Sequence, residues 1–135
     1  MGTPAELPDG RTSIADVAAT SPTKLADDVR AAARRVYICA QVWRGSPSWR
    51  GDKRQRKAYE SVVAAIAELD ATPEVRTYRD VDRLIDIVAP ILSGWWPDST
   101  GPQRDLSEAV SDLRQIAMHE VAWVRNARGM LGQSW

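Results

Sequence analysis

The sequence predicts an all-α protein, namely an antiparallel four-helix bundle to which a short N-terminal helix would add a fifth element. Three observations predict this class. Four long segments carry apolar residues three and four positions apart, which is the spacing of one helix face. Glycine and proline residues separate these segments. No segment alternates apolar and polar residues in the way that a half-buried strand does.

The N-terminal region is predicted to divide into a tail and a short helix. Residues 1–12 are rich in turn-forming residues and are expected to form a flexible tail. Ser13 is suited to cap a short helix that ends near residue 19, with Asp16 as the acidic residue three positions on. Residues 13–135 are then expected to form a single helical bundle domain.

The first long helix is predicted over about 22–44, with Ser21 as its N-cap and a proline at its first helical position. Its main apolar face consists of Leu25, Val29, Ala32, Ala33, Val36, Ala40 and Trp43. A second apolar stripe on another side of this helix consists of Ala31, Ile38 and Val42. A helix that is apolar on two sides makes two sets of contacts. The second stripe is therefore expected either to contact the short N-terminal helix or to form the interface of a homodimer.

Three further long helices are predicted over about 53–70, 77–93 and 105–128. Each carries one apolar stripe at helical spacing. The stripes consist mainly of Ala58, Val62, Ile66 and Leu69, then of Val81, Leu84, Ile85, Val88 and Leu92, and last of Leu106, Val110, Leu113, Ala117, Val121 and Val124. Pro90 falls on the outer face of its helix, where it removes one hydrogen bond and can bend the helix around the core.

Composition narrows the classes of function. The single cysteine, Cys39, excludes an internal disulfide framework and a cysteine-based zinc site. The N-terminal residues have neither the basic start nor the apolar core of a signal peptide. No stretch approaches 18 consecutive apolar residues, the length that indicates a membrane span. We therefore expect a cytoplasmic protein without a membrane partner.

Residues suited to catalysis or metal binding are few. His119 is the only histidine and is predicted on the polar side of the last helix, without a second ligand on its face. The glycines are scattered in turns and form no phosphate-binding loop. The sequence thus predicts no catalytic residue, no metal site, no cofactor and no enzymatic activity.

Two features leave alternatives open. Glu120 projects into the apolar stripe of the last helix, where a carboxylate needs a partner. That partner would come from the core or from across an oligomer interface, unless Glu120 is a functional carboxylate with a raised pKa. Trp95 and Trp96 follow the third long helix, and they either cap the floor of the bundle or form an exposed binding anchor.

The tract RGSPSWRGDKRQRK, residues 44–57, is the strongest functional signal in a chain whose formal net charge is zero. It carries one acid, Asp52, and seven residues suited to bind a partner or a phosphate: Arg44, Trp49, Arg50, Lys53, Arg54, Arg56 and Lys57. Cations bind phosphate groups, and a tryptophan among them can stack on a base. The tract is therefore interpreted as a solvated mobile loop, as a nucleic-acid contact or as a contact for an acidic protein.

These observations together predict a non-enzymatic helical interaction module, such as an adaptor, a regulator or a small subunit of a larger assembly. Its protein partner is not identified by the sequence, and a homodimer is one candidate. The alternative is a small nucleic-acid-binding subunit that contacts phosphates through the basic 44–57 tract. Such binding would be largely independent of base sequence, because backbone contacts carry no sequence information.

Overall fold

A computed structural model describes residues 13–98 and 100–135, and within these ranges the protein is helical with no strand. The helices are α1 (Ile14–Ala18), α2 (Pro22–Arg44), α3 (Lys53–Ala71), α4 (Tyr78–Ser93), α5 (Pro102–Gln115) and α6 (Val121–Met130). A π-helical turn, Ile116–Glu120, joins α5 to α6. The helices pack against one another as a bundle, which confirms the predicted fold class. The tail predicted over residues 1–12 lies outside the described residues.

Side-chain caps explain where the helices begin. The hydroxyl groups of Ser13 and Ser21 accept hydrogen bonds from backbone amides three residues on, at 3.1 Å each, as the sequence predicts. Asp52 caps α3 in the same way through the amide of Gln55. Thr77, predicted as the first residue of its helix, is instead the N-cap of α4, and it forms a reciprocal capping box with Asp80.

The helices α2, α3, α4 and α5 alternate in direction, and α2 lies at the centre of their contacts. It packs against α3, α4 and α5, while α3 also packs against α4. The core between them is apolar, and its largest fully buried side chains include Trp43, Leu25, Leu84, Ile91, Leu106 and Leu113. Burying such side chains supplies the main favourable free energy of folding, at roughly 25 cal/mol per Å² of apolar surface. Among the described residues, no helix is long and apolar enough to cross a membrane.

The last helix differs from its prediction as an uninterrupted helix over about 105–128. It begins at Pro102, ends at Met130 and is interrupted by the π turn. An i→i+5 hydrogen bond closes a larger ring than an α-helical bond, so the faces before and after it are out of α-helical register. Beyond the turn, α6 packs against α1.

The second apolar stripe of α2 faces outward. Ile38 is 59% exposed and Val42 is 58% exposed, and Ala31 is exposed as well. Since α1 packs on α6, the expectation that the N-terminal helix covers this stripe is wrong. The homodimer interface remains a prediction.

The end of the bundle that holds α1, the start of α4 and the end of α6 is here called the clasped end. Arg128 donates hydrogen bonds to the carbonyl oxygens of Ala18 and Ser134 and to the Tyr78 hydroxyl, at 2.9 to 3.2 Å. The Tyr78 hydroxyl in turn donates to the carbonyl oxygen of Thr20 at 2.7 Å. One guanidinium group therefore connects α1, α4, α6 and the segment that follows α6.

Candidate binding surface at the basic end of the bundle

The opposite end of the bundle, here called the basic end, collects the cations of residues 44–57. Because α2, α3 and α4 run in alternating directions, the α2–α3 connection and the loop after α4 lie at the same end. The guanidinium carbon of Arg54 lies 5.2 Å from the ring centre of Trp95, although the two residues are far apart in the sequence. The basic end therefore consists of the predicted tract together with an indole ring that the sequence did not connect to it.

Gln55 fixes the backbone of the α2–α3 connection. It is buried, its Nε2 donates to the carbonyl oxygen of Ser48 at 3.1 Å, and its Oε1 accepts from the amide of Arg50 at 2.8 Å. The connection thus has a defined path with its own hydrogen bonds, whereas the sequence left a mobile loop as one interpretation. Sequence analysis did not identify Gln55, although a polar residue in register with the apolar face of α3 was the available signal.

Trp49 attaches the connection to the core. Its ring centre lies 4.9 Å from that of Trp43 at an interplanar angle of 87°, and 6.0 Å from the ring centre of Tyr59 at 69°. Such edge-to-face contacts are favourable between aromatic rings. The half-buried Trp49 ring is therefore engaged in packing on one side, and the rest of it lines a recess next to Arg44 and Arg56.

The cations of the basic end are exposed and lack acidic partners within residues 13–98 and 100–135. None of the six forms an ion pair with a carboxylate of the described residues. Arg44 and Arg54 lie over the rings of Tyr59 and Trp95 instead, at 4.8 and 5.2 Å. The N-terminus of α3 contributes further positive potential through its helix dipole. Elsewhere, arginines of α2 pair with Asp70 and Asp112 across helix interfaces.

A cleft of about 360 Å³ opens between the first half of α3 and the end of α4. It is here called the α3–α4 cleft, and its polar and aromatic lining comes from Arg54, Lys57, Ser61, Ser93 and Trp95. A second recess of about 260 Å³ lies on the other side of α3, and its lining includes Arg44, Trp49, Arg56 and Glu60. The basic end thus offers both exposed charge and concave surface.

The two tryptophans after α4 have different surroundings, so capping of the bundle describes Trp96, while a role of Trp95 as a binding anchor stays a prediction. Trp96 is half-buried, packs against the core and donates from Nε1 to the carbonyl oxygen of Ile91 at 2.7 Å. Trp95 is 41% exposed and faces the α3–α4 cleft. Trp96 therefore covers the end of the core, and Trp95 is available to a ligand.

The remaining candidate residues lie elsewhere. His119 is exposed and Glu120 is half-buried, and both belong to the π turn rather than to an α-helical face. Burial raises the pKa of the Cys39 thiol, which favours its protonated, less reactive form. Within residues 13–98 and 100–135, no group of three or more His, Cys, Asp or Glu side chains is placed to hold a metal ion.

Comparison of the chain with models of protein families, with curated proteins and with solved structures gave no match. The molecule can be classed as an all-helical bundle with one cationic end.

Proposed function

We propose that this protein is a non-enzymatic interaction module that binds an acidic protein partner through its basic end. The observation that supports this most strongly is the cluster of six exposed cations without an ion-pair partner among the described residues. They surround a connection whose backbone is held in place by Gln55. Exposed cations near a helix N-terminus repel one another and the positive end of the helix dipole, and a bound anion reduces this repulsion. An adaptor, a regulator and a small subunit would each use such a surface, and we place it in the cytoplasm.

Two observations favour a protein over a nucleic acid. The first is that the Trp49 ring packs edge-to-face on Trp43 and Tyr59 and is half-buried, so only part of it remains for stacking on a base. The second is the charge of the remaining surface. The whole chain is formally neutral and residues 44–57 hold six cations against one acid, so the rest of the sequence carries a net charge of −5. A long polyanion that extends past the basic end would be repelled by that surface, whereas a short acidic segment would not.

The test compares a fluorescein-labelled glutamate-rich peptide with single- and double-stranded oligonucleotides, by fluorescence anisotropy at about 50 and 200 mM salt. One variant reverses three cations that lie outside the α3–α4 cleft: Arg50→Glu, Lys53→Glu and Arg56→Glu. The matched control reverses three cations of the clasped end: Lys24→Glu, Arg76→Glu and Arg79→Glu. We expect salt-sensitive binding of the peptide, at least tenfold weaker for the first variant and unchanged for the control.

Either of two results would contradict the proposal. Equal loss of binding in both variants would indicate a nonspecific charge effect. Binding of oligonucleotides but not of the peptide would instead support the nucleic-acid alternative, with phosphate contacts from the same cations.

A second proposal, a homodimer through the outer face of α2, is favoured by the exposure of Ile38 and Val42. Sedimentation of the purified protein tests it. Ile38→Asp is expected to split the dimer and to leave the helical circular dichroism unchanged, because surface substitutions usually alter stability by less than about 0.5 kcal/mol. A dimer that survives this substitution, or a wild-type protein that is monomeric at high concentration, would exclude this interface.

A further inference from the structure

The α3–α4 cleft combines three chemical features within about 360 Å³. Arg54 and Lys57 are three residues apart on α3 and therefore lie on the same side of that helix. Both are exposed, and neither has an ion-pair partner in the described part of the chain. This pair provides a site for one anionic group.

The Trp95 ring provides the second feature. It is 41% exposed, and the Arg54 guanidinium lies over it. A guanidinium group that is placed over an indole is held in position without losing its hydrogen-bond donors. An aromatic side chain of a ligand can contact the exposed part of the same indole while a neighbouring anion pairs with Arg54.

The hydroxyl groups of the cleft provide the third feature. Ser61 donates its hydroxyl proton to the carbonyl oxygen of Ala58 at 2.7 Å, and Ser93 donates to that of Ala89 at 3.1 Å. A hydroxyl group whose only proton is already donated can still accept hydrogen bonds. The two serine oxygens are therefore suited to accept from N–H groups, which a peptide backbone has and a phosphodiester backbone lacks.

We infer that the α3–α4 cleft binds an acidic peptide segment in which an Asp or Glu stands beside an aromatic residue. The carboxylate pairs with Arg54 and Lys57, the aromatic side chain contacts Trp95, and backbone N–H groups donate to Ser61 and Ser93. This inference rests on the proposed function and adds to it the feature by which one acidic segment is selected over others. The volume lies near the lower limit of ligand pockets, roughly 300 Å³, and suits one or two side chains.

The test uses two fluorescein-labelled glutamate-rich peptides that differ only in one residue next to a glutamate, tyrosine in the first and alanine in the second. The cleft is filled by Ser61→Leu, which leaves every charge unchanged and introduces a better helix former. Ser111→Leu is the matched control, because Ser111 is exposed on α5 outside the cleft. Trp95→Ala is a second cleft variant, and its exposed side chain makes little contribution to the core.

The wild-type protein and Ser111→Leu are expected to bind the tyrosine peptide at least tenfold more tightly than the alanine peptide. Ser61→Leu and Trp95→Ala are expected to bind the two peptides equally and weakly. Equal binding of both peptides by the wild type would overturn the inference, as would a preference that survives in both cleft variants. Binding of neither peptide would overturn the proposed function as well, whereas binding without preference would leave the proposed function standing.

Two further binding measurements test other ligands of the cleft. A peptide with phosphoserine in place of the glutamate offers the same anionic chemistry, and tighter binding that is lost in Ser61→Leu would identify a phosphorylated segment as the source. An oligonucleotide whose binding is lost in Ser61→Leu but kept in Ser111→Leu would overturn the inference in favour of a nucleic acid.

Discussion

The two ends of the bundle use arginine in opposite ways. At the clasped end, Arg128 donates to three different residues and Arg125 pairs with Asp82 while it lies over the ring of Trp135. At the basic end, six cations lack an ion pair with any described carboxylate. A cation with several fixed partners stabilises the fold, whereas an exposed cation without partners contributes little to it. The comparison therefore separates a structural end of the molecule from an end that is available for binding.

The largest effect is expected from Arg128→Ala at the clasped end. This substitution removes hydrogen bonds from a charged donor to Ala18, Tyr78 and Ser134, and we expect it to lower the free energy of unfolding by about 2–3 kcal/mol. Urea denaturation provides the measurement. Arg34→Ala is the control, because it breaks only the exposed ion pair with Asp70. It should lower the free energy of unfolding by less than about 1 kcal/mol. Equal losses in both variants would contradict a special role for the clasped end.

A smaller effect is expected from Gln55→Ala at the basic end. The substitution leaves the carbonyl oxygen of Ser48 and the amide of Arg50 without their side-chain partner. We expect a loss of about 1–2 kcal/mol in urea denaturation, together with weaker binding of acidic peptides because the cations no longer have a fixed backbone. Gln115→Ala, at an exposed position on α5, should leave both measurements unchanged. Unaltered peptide binding by Gln55→Ala would show that the path of the connection does not matter.

Acid should act on the clasped end through Asp80. The pKa of this carboxyl group lies below its usual value because the backbone amides of Arg76 and Thr77 donate hydrogen bonds to it. The folded state therefore binds the proton less readily than the unfolded state. The stability contributed by Asp80 is present above the unfolded pKa and is lost as pH falls through the folded pKa. The fall in the thermal unfolding midpoint between pH 7 and pH 3 should be smaller for Asp80→Asn than for the wild type. An equal fall in both proteins would contradict this assignment.

The smallest effect on stability is expected from Arg50→Gln at the basic end. The Arg50 side chain is exposed and forms no ion pair within the described ranges, so its removal should change the free energy of unfolding by less than about 0.5 kcal/mol. A loss comparable to that of Arg128→Ala would mean that the basic end also serves the fold, and the contrast between the two ends would disappear.

Local sequence signals account for most of the helices. Caps such as Ser21 and Asp52 act within a few residues, and apolar periodicity identifies the buried face of each long helix. The π turn was not predictable, because the apolar residues on both sides of it keep an α-helical spacing in the sequence. The docking of α1 on α6 joins elements from opposite parts of the chain, and no local pattern describes such a contact.

The candidate site was predictable only in part. The cations of residues 44–57 are contiguous, so their concentration is visible in the sequence. The predicted antiparallel bundle already places the start of α3 and the end of α4 at the same end, but the contact of Arg54 with Trp95 depends on how these side chains pack, which the sequence does not show. The packing of Trp49 on Trp43 was not predicted, because clustered charge around an aromatic residue resembles a binding site even where the ring also packs on the core, and its part in binding stays a prediction.

The alternating directions of the long helices place different parts of the chain at the two ends of the bundle. If α5, the π turn and α6 are counted as one, the four long helical segments place the start of α2 and the end of α6 at the clasped end, and the described chain reaches the basic end at the α2–α3 connection and at the loop after α4. The 23 residues of α2 separate the two ends by roughly 35 Å. A surface linker attached after Trp135 would therefore hold the protein at its clasped end and leave the basic end facing the solution. A fluorophore at the same position would label the molecule far from the basic end.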